Sequence, residues 1–360
     1  MNILLDIYLE KNIGDDLFLE TILARYPKHN FFIFCQLDYT FMEKKYNNLK
    51  VIRINKYYNY ILSNTNKKNL LFKRFMKRKN IHALVCLGGS IFSEFPGWEK
   101  SYQQRKDLWS FTKKQNKKLF VLGSNFGSYK SKEFYELYHN LFGIVDDVCF
   151  RDSASYQLFK QLDNVRKEAD IVLDLSINKY NGIVENSVGL SVIDLEERKN
   201  LKQFQTNYIN QLSKTIDRFI EEGKQIYLFS FCEREGDELG TDKVLSKVKD
   251  KKNIVVVNYR GNIDEFLGVF SKVESMIATR FHSIILSLMY GKKIFALNYS
   301  KKSENLIKDY DLNIETLNIE SIDDLNYDDI EKSFKHKNKS LPALKESSKR
   351  QFEKLDEFLL

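Results

Sequence analysis

The chain has 360 residues with a formal net charge of +8 at pH 7, and 43% of them are hydrophobic and 29% charged. This length predicts two domains, and the composition is that of an ordinary globular protein. The charge fits an anionic substrate or a membrane surface. No RNA- or DNA-binding signature accompanies it, so no nucleic-acid partner is expected.

The first half of the chain alternates between strand, loop and helix. The predicted strands are Ile3–Tyr8, Phe31–Cys35, Val51–Ile54, Ala83–Leu87, Leu119–Leu122, Asp147–Phe150 and Ala169–Leu173. The predicted helices are Leu17–Ala24, Lys67–Lys79, Lys132–Leu141 and Ala154–Gln161. Such alternation is typical of a parallel sheet with helices on both faces.

Polar residues and glycines follow several of these strands, where open sheets place ligands. They are Asn12, Asp15, Gly88, Gly89, Glu94, Asn125 and Arg151. The adjacent glycines allow a ligand or another backbone to approach closely. Arg151 has a structural alternative, an ion pair with Asp152 or Asp170, and its position after a strand favours ligand contact. Asp152 or Ser153 is a candidate helix cap.

The segment Lys67–Lys79 is the most lopsided of the chain. As a helix it places Leu71, Phe72, Phe75 and Met76 on one face and Lys73, Arg74, Lys77 and Arg78 on the other. A surface helix with a solvated basic side explains this pattern. The sharper hypothesis is peripheral contact with anionic lipid.

The second half repeats the alternation after a polar linker, Asn178–Asn186. The predicted strands are Ser187–Ile193, Gln225–Phe231, Ile254–Val257, Ser275–Ala278 and Ile294–Asn298, and the helices are Lys202–Glu222, Thr241–Val248, Ile263–Phe270 and Glu304–Asp309. Residues 312–339 are polar and predict short helices at most, and Leu341–Leu360 predicts a final amphipathic helix.

We therefore expect an α/β protein with two doubly wound, Rossmann-like domains that face a cleft with the carboxyl ends of their sheets. The predicted N-terminal domain is 1–178 and the predicted C-terminal domain is 187–339. The final helix, 340–360, is expected to pack back on the N-terminal domain.

The stretch Ile277–Ser283 combines the end of a buried strand, a charged elbow and the start of an apolar helix. Arg280, His282 and the helix N-terminus near Ser283 converge there, which suits a phosphate or carboxylate. Lys302, in the next loop, adds positive charge, and Glu233 and Asp237 follow another strand of this half. His282 is either a general acid or base or a core histidine satisfied by the backbone.

The four cysteines, Cys35, Cys86, Cys149 and Cys232, are far apart and form no CxxC pair. Buried free thiols are expected rather than disulfides, and no zinc or other metal site is expected. The first residues lack a basic region and contain Asp6, so they do not resemble a signal peptide. No apolar run approaches the roughly 20 residues of a membrane span. We expect a cytoplasmic protein, in peripheral contact with the inner membrane face if the basic helix binds lipid.

The order of these segments resembles the polysaccharide pyruvyl transferase family over residues 1–310. The matching motifs are Asn12-Ile13-Gly14-Asp15, Leu87-Gly88-Gly89-Ser90-Ile91-Phe92-Ser93-Glu94, Arg151-Asp152-Ser153-Ala154-Ser155, Ala169-Asp170, Arg280-Phe281-His282-Ser283, Gly291 and Tyr299-Ser300-Lys301-Lys302. The glycine run reads Gly-Gly-Ser rather than three glycines, and no proline follows Gly291.

The resemblance implies a fold like that of GT-B glycosyltransferases and transfer of a pyruvyl group from phosphoenolpyruvate to a sugar as a cyclic ketal. The implied acceptor is a galactose-type sugar in a lipid-linked oligosaccharide, and phosphoenolpyruvate is a co-substrate, with no further cofactor and no metal. By this resemblance Arg151, Arg280, Ser283 and Lys302 hold the donor. His282 donates a proton, and Asp15 and Glu94 are candidate bases. Asn12, Gly88, Gly89 and Asn125 lie on the acceptor side.

Two other functions remain open from the sequence. One is a nucleotide-sugar glycosyltransferase of the same two-domain type, which the absence of an obvious ribose-binding acid after the elbow helix disfavours. The other is a non-catalytic protein that binds an anionic glycan, for which a histidine in the elbow is unnecessary.

Overall fold

The computed structural model describes residues 1–55, 67–177, 182–196, 198, 200–336 and 341–360. They form two compact units. The first unit consists of Met1–Leu9, Asp15–Leu175 and Lys345–Leu360. The second consists of Glu10–Gly14 and Ser176–Leu344. The predicted linker begins at Asn178–Asn181, which lies outside the described residues.

The first unit is built on a seven-stranded parallel sheet in the order β3-β2-β1-β4-β5-β6-β7. Its strands are β1 (Asn2–Ile7), β2 (Asn30–Cys35), β3 (Leu49–Arg53), β4 (Ala83–Leu87), β5 (Lys118–Ser124), β6 (Asp147–Phe150) and β7 (Val165–Lys167). Central strand β4 is buried along its whole length. This explains its unbroken apolar sequence, because helices cover both faces of such a sheet.

The helices of the first unit connect these strands and bury their apolar stripes against the sheet. They are α1 (Ile13–Arg25), α2 (Thr40–Lys45), α3 (Lys67–Arg78), α4 (Trp98–Lys114), α5 (Lys132–Phe142) and α6 (Ser153–Phe159). Aromatic side chains dominate the core on one face, where Phe92 meets Tyr138 and Phe142 edge to face. Such pairs stabilise a core beyond the area that they bury.

The second unit contains a six-stranded parallel sheet in the order β10-β9-β8-β11-β12-β13. Its strands are β8 (Val184–Ser191), β9 (Gln225–Ser230), β10 (Ile254–Asn258), β11 (Val273–Ala278), β12 (Lys293–Asn298) and β13 (Glu315–Asn318). Its helices are α7 (Gln205–Glu221), α8 (Asp237–Lys247), α9 (Ile263–Lys272), α10 (Phe281–Met289), α11 (Lys301–Asp309) and α12 (Tyr327–Ser333).

In each sheet the strand order reverses at one point. That point lies between β1 and β4 in the first unit and between β8 and β11 in the second. Loops that leave the two strands on either side of such a point diverge and open a crevice at the carboxyl edge, which is where open α/β sheets bind ligands. The Gly88-Gly89 turn follows β4, and the Arg280 elbow follows β11. Both predicted ligand loops therefore lie at a switch point.

Three element predictions were wrong. Ala169–Leu173 is not a strand, because Asp170 accepts a hydrogen bond from the Val172 N–H at 3.0 Å and begins a 3-10 helix over Ile171–Asp174. Glu315–Asn318 is strand β13 in a stretch for which only short helices were predicted. The final helix is broken into α13 (Leu341–Arg350) and α14 (Glu353–Leu359).

The C-terminal segment from Lys345 onward completes the first unit. Asp356 accepts hydrogen bonds from Arg25 and Tyr26 on α1. The buried Gln351 side chain accepts from the Gly123 N–H at 3.1 Å and donates to the Phe150 and Glu168 carbonyls. Backbone groups at the ends of β5 and β6 thus depend on a side chain that is some 200 residues away in sequence.

The four cysteines are buried free thiols, as predicted. Among the described residues, no helix combines the length and the apolarity that crossing a membrane requires.

Candidate functional site

The elbow after β11 is fixed by the neighbouring strand β8. The hydroxyl of Ser191, the last residue of β8, accepts hydrogen bonds from the Thr279 and Arg280 N–H groups at 2.7 and 3.1 Å. Arg280 is the extended N-cap residue of α10 (φ −72°, ψ 139°). The backbone therefore turns sharply at Arg280 and aims the N-terminus of α10 at the switch point.

The Ser283 hydroxyl belongs to this fastening. It donates to the Arg280 carbonyl at 2.5 Å, and it lies 2.9 Å from the Ser191 hydroxyl. Because the Ser283 hydrogen goes to the carbonyl, the Ser191 hydroxyl donates to Ser283. Ser283 is completely buried. The hydroxyl of Ser283 thus has a structural role, and its contact with a donor substrate stays a prediction.

The Arg280 guanidinium is buried and paired with two carboxylates. Its Nε lies 3.0 Å from Asp237 Oδ2, its Nη2 donates to Asp237 Oδ1, and its Nη1 donates to Glu235. Asp237 also accepts the Phe231 and Cys232 N–H groups at 3.0 and 3.1 Å. Burial by itself would lower the pKa of Arg280, but the two carboxylates more than offset this and raise that pKa well above its usual value. Three of the five guanidinium N–H donors are thus used inside the protein.

Glu235 connects several parts of the site. Burial opposes its ionised form, but attraction to Arg280, a hydrogen bond from Arg280 and the charge of Arg198 prevail and lower the pKa of Glu235 to about 2. Arg198 Nη2 lies 3.5 Å from Glu235 Oε2, and Asn12 Nδ2 donates to Glu235 Oε1 at 3.0 Å. A single carboxylate therefore holds the elbow, the loop after β8 and the loop after β1.

The loop Glu10–Gly14 packs within the second unit, although it follows the first strand of the chain. The Ile13 N–H donates to the Phe231 carbonyl at 3.1 Å, and Arg234 pairs with Glu10. Asn12 was predicted to face the acceptor, but both ends of its amide bind protein groups. Its Oδ1 accepts the Gly14 N–H at 3.0 Å while its Nδ2 bonds to Glu235. Asn12 therefore shapes this loop.

Gly14 lies directly against the His282 ring. A β-carbon built on Gly14 would lie 1.9 Å from His282 Nδ1 and 2.4 Å from Cε1. No side chain fits there unless the imidazole moves. His282 is the second residue of α10 and is half-buried. The glycine of the Asn12–Asp15 motif thus makes room for the histidine of the elbow, 268 positions later in the chain.

Tyr299 and Lys302 follow β12, the strand next to β11. Lys302 is half-buried in the first turn of α11. Burial raises the pKa of the Tyr299 phenol, but the combined charges of Lys302, Arg280 and Arg198 outweigh it and lower that pKa. The Arg198 guanidinium lies 4.8 Å from the centroid of the Tyr299 ring. The positive charge predicted around the elbow is present, and Arg198 adds to it.

In the first unit, Arg151 forms the buried ion pair that was its structural alternative. Its Nη1 lies 2.7 Å from Asp170 Oδ2, and its Nη2 lies 2.9 Å from Asn125 Oδ1. A β-carbon on Gly89 would lie 2.7 Å from Arg151 Nη2. The Asp152 side chain caps α6 by accepting the Ser155 N–H at 2.8 Å. The structure thus brings three predicted residues, Gly89, Asn125 and Arg151, into one polar cluster at the switch point of the first sheet.

The other first-unit candidates lie around this cluster. The Gly88 carbonyl accepts the Ser124 hydroxyl at 2.6 Å, and Gly88 has a φ of +149°, which favours glycine. Glu94 accepts the Lys130 and Ser131 N–H groups ahead of α5, and these bonds lower the pKa of its carboxyl. A carboxylate stabilised in this way is a weak base, so the geometry favours a structural role for Glu94. Asp15 lies in the first turn of α1 and is half-buried.

Sequence reasoning missed two residues of the site, Glu235 and Arg198. Glu235 stands in the acidic loop after β9, where Glu233 and Asp237 had been noted, and spacing alone did not distinguish the three. Arg198 lies in a loop without a matched motif. Among the described residues, no group of histidine, cysteine and carboxylate side chains is arranged to hold a metal ion.

Two comparisons with known proteins agree on one family. The model of the family described as polysaccharide pyruvyl transferase matches residues 12–301. The amylovoran biosynthesis protein AmsJ of Erwinia amylovora is 24% identical, over 83% of this chain and 81% of that protein.

Solved structures share the fold at low sequence identity. The UDP-GlcNAc 2-epimerase of Methanocaldococcus jannaschii superposes with a TM-score of 0.65 at 11% identity, covering 99% of this chain and 100% of that one. A glycosyltransferase from Rickettsia africae gives 0.52 at 14% identity over 99% and 97% of the two chains, and MurG of Acinetobacter baumannii gives 0.51 at 8% over 99% and 98%. The predicted two-domain α/β fold of the GT-B type is confirmed. At these identities the likeness concerns the fold alone.

Replacing Gly14 by alanine should disturb His282 selectively. The added methyl group overlaps the imidazole, so the ring must shift, and overpacking of this kind costs about 1–3 kcal/mol. A displacement of ~1 Å at a reacting group lowers turnover about 100-fold. The measurement is turnover together with the free energy of unfolding in urea. Gly143→Ala is the matched control, because its methyl group would meet its nearest atom at 3.4 Å and its backbone is helical. Equal activity of the two variants would contradict the packing of Gly14 on His282.

Glu235 should make stability depend on pH in the acid range. Its folded-state pKa of about 2 lies below the ordinary glutamate value of 4.5, so its contribution to stability is complete above about pH 4.5 and is lost as pH falls toward 2. We expect Glu235→Gln to destabilise the protein by on the order of 2 kcal/mol at pH 7, after allowance for partial solvent screening. The difference in the free energy of unfolding between Glu235→Gln and the unsubstituted protein, measured in urea, should shrink steadily below pH 4.5. A difference that stays constant down to pH 3 would rule out this ion pair.

Proposed function

Because the chain belongs to the polysaccharide pyruvyl transferase family and is an enzyme of polysaccharide biosynthesis, we propose that it transfers the pyruvyl group of phosphoenolpyruvate to two hydroxyls of one sugar. The product is a cyclic ketal. The observation that carries this proposal is the position of His282, which Gly14 seats at the N-terminus of α10, beside Arg280 at the switch point of the second sheet.

The electrostatics of the elbow support an anionic donor. Phosphoenolpyruvate carries a phosphate and a carboxylate, and the N-terminus of α10 offers backbone N–H groups and the positive end of the helix dipole. We propose that Lys302 contacts the phosphate and that Arg280 contributes the N–H donors not used on Asp237 and Glu235. In this scheme Ser283 holds the backbone in place, and no step passes through a metal or a further cofactor.

The proposed reaction begins with proton transfer from the His282 imidazolium to C3 of the enol. C2 then becomes electrophilic and is attacked by one sugar hydroxyl, whose proton passes to a base. The second hydroxyl of the same sugar attacks C2 as phosphate departs with the remaining proton. The methylene has become a methyl group, two C–O bonds have formed, and the C2–O bond to phosphate has broken. The charge of the bound donor favours the protonated imidazole that the first step needs.

The base that accepts the hydroxyl proton is proposed to be Asp15. It follows Gly14 directly and lies in the first turn of α1. Glu94 is the weaker candidate, because its carboxylate is engaged by two backbone N–H groups. We further propose that Gly88, Gly89 and Asn125 serve the acceptor from the switch point of the first sheet. Arg151 would act there mainly by orienting Asn125, to which it is hydrogen-bonded.

The acceptor is proposed to be a galactose-type sugar of a polyprenyl-linked oligosaccharide, met at the cytoplasmic face of the membrane. Helix α3 supports this placement. Arg74, Lys77 and Arg78 are exposed, whereas Lys73 pairs with Asp107 on α4 at 2.5 Å. The exposed basic side chains are thus available to anionic lipid.

Replacing His282 by glutamine tests the chemistry. We expect phosphate release from phosphoenolpyruvate and a β-galactoside to require both substrates and to fall about 10²- to 10⁴-fold in His282→Gln, the usual contribution of a general acid. Stabilisation by phosphoenolpyruvate in a thermal shift assay should persist, because the anion-binding groups remain.

The control is His336→Gln, which removes another half-buried histidine of the second unit and should leave the rate unchanged. Turnover with a nucleotide sugar alone, with neither stabilisation nor phosphate release from phosphoenolpyruvate, would overturn the proposal in favour of a glycosyltransferase.

Reversing the exposed charges of α3 tests the membrane contact. In Arg74→Glu/Lys77→Glu/Arg78→Glu, binding to vesicles with anionic lipid should weaken strongly, at about 1 kcal/mol for each basic residue near the surface. Turnover of a lipid-linked acceptor should fall while that of a free galactoside is retained. Lys249→Glu/Lys251→Glu/Lys252→Glu changes the net charge equally on an exposed segment of the second unit and serves as the control. Equal vesicle binding by the two triple variants would refute the contact.

A further inference from the structure

A pocket of about 660 Å³ opens within the second unit, beside the elbow. It lies at the carboxyl ends of β12 and β13 and is bounded by the loop that contains Arg198 and by the start of α11. Its volume falls within the roughly 300–1,000 Å³ of small-molecule sites. Of its lining residues, Arg198 and Tyr299 also contact the elbow site.

The floor of this pocket contains an amide that the protein does not satisfy. Asn298 is 1% exposed, and within the described part of the chain neither its Oδ1 nor its Nδ2 has a hydrogen-bond partner. Its neighbour Ser300 also has a buried hydroxyl without a partner there. A buried unsatisfied polar group costs about 1–3 kcal/mol, so a native protein keeps one where something else bonds to it. Asn298 lies in register with Asn318 on β13, which also lines the pocket.

The charges of the wall balance. Arg198 and Lys301 are basic, and Glu304 and Glu320 are acidic, which gives no net charge. Lys301 is also paired with Glu304 at 2.8 Å, and Arg198 approaches Glu235 at 3.5 Å. A phosphate or a nucleoside diphosphate would find no uncompensated positive charge here. Six of the seven uncharged lining residues have an amide or hydroxyl group, and such groups offer both donors and acceptors to the hydroxyls of a sugar.

The pocket is joined to the elbow through Arg198. Its Nε donates to the Asp194 carbonyl at 3.2 Å, and its guanidinium stacks on the Tyr299 ring and reaches Glu235, the carboxylate that pairs with Arg280. Arg198 is thereby held rigidly between pocket and elbow. A ligand in the pocket would have one end near the residues proposed to bind the donor.

We propose that this pocket binds a neutral saccharide unit, with the Asn298 amide as its central hydrogen-bonding group. That the saccharide is part of the acceptor rests on the proposed function, but its binding does not. The second unit then carries a sugar subsite in addition to the donor-binding elbow.

The test is saccharide binding in the absence of any donor. Methyl glycosides of galactose, glucose, mannose and N-acetylglucosamine are offered at millimolar concentration to the full chain, and binding is followed by saturation-transfer NMR and titration calorimetry. We expect at least one glycoside to bind and Asn298→Leu to weaken it about tenfold or more, since two hydrogen bonds are lost. Asn258→Leu is the matched control. Asn258 ends β10 as Asn298 ends β12, its Oδ1 also lacks a partner within the described residues, and it does not line the pocket.

A second variant guards against misfolding of Asn298→Leu. Ser321 is exposed and also lines the pocket, so Ser321→Leu should narrow the pocket without unfolding the protein and should also weaken glycoside binding. Absence of binding by all four glycosides, or binding that neither variant weakens, would overturn the proposal. So would tight binding of UDP or phosphoenolpyruvate that both variants abolish. If phosphoenolpyruvate turnover is never found while Asn298-dependent glycoside binding is, the proposed function fails and the sugar subsite stands.

Discussion

The buried ion cluster of Arg280, Asp237 and Glu235 is the interaction on which the site depends. One guanidinium faces two carboxylates, and the desolvation of these charges is offset by their mutual attraction and by the backbone N–H groups that Asp237 accepts. Removing Asp237, the fully buried partner, would leave an uncompensated buried charge, which typically costs about 3–5 kcal/mol. Glu235 extends the cluster to Asn12 and Arg198. Three loops from distant parts of the sequence are thereby held in one arrangement.

The two arginines of the predicted site, Arg151 and Arg280, both have partners within the protein. Each occupies a motif position where direct contact with an anion was expected. In the structure each donates hydrogen bonds to carboxylate or amide oxygens of the protein. An arginine fixed in this way presents its remaining N–H groups in a set direction, which a mobile surface arginine does not. The proposed ligand-binding groups are then His282, the N-terminus of α10 and Lys302, of which both side chains are half-buried. A rigid setting would suit the proton transfer proposed for His282, because proton transfer to carbon requires close and constant placement.

The positions of the elbow and of the pocket along the second sheet follow from the topology of that sheet. The elbow lies at the switch point between β8 and β11, and the pocket around Asn298 lies at the ends of β12 and β13. Parallel strands bring all of these loops to one edge, so the proposed donor site and the proposed sugar subsite occupy neighbouring positions on a single unit. The link between them is Arg198, whose loop leaves β8.

Much of the fold followed from local pattern. Apolar runs such as Ala83–Leu87 and Ile294–Asn298 and the amphipathic stripe of Lys202–Glu222 are signals of burial that need no partner to be interpreted. Predictions failed where a side chain decided the backbone, as at Asp170, whose capping bond starts a 3-10 helix instead of a strand. They also failed at the edge strand Glu315–Asn318, which is mostly exposed and therefore lacks an apolar pattern. The break between α13 and α14 falls near Gln351, whose side chain bonds to strands β5 and β6.

The sequence by itself determined the two α/β units, the family and the identity of most residues around the site, because strand ends, glycines and charged elbows leave marks within a few positions. Only the tertiary structure decided which other residues of the chain they contact. The seat of His282 on Gly14, the pairing of Arg280 with Glu235 and the pocket around Asn298 join residues tens to hundreds of positions apart. Such contacts depend on strand order and side-chain packing, and the local periodicity of a sequence determines neither of them.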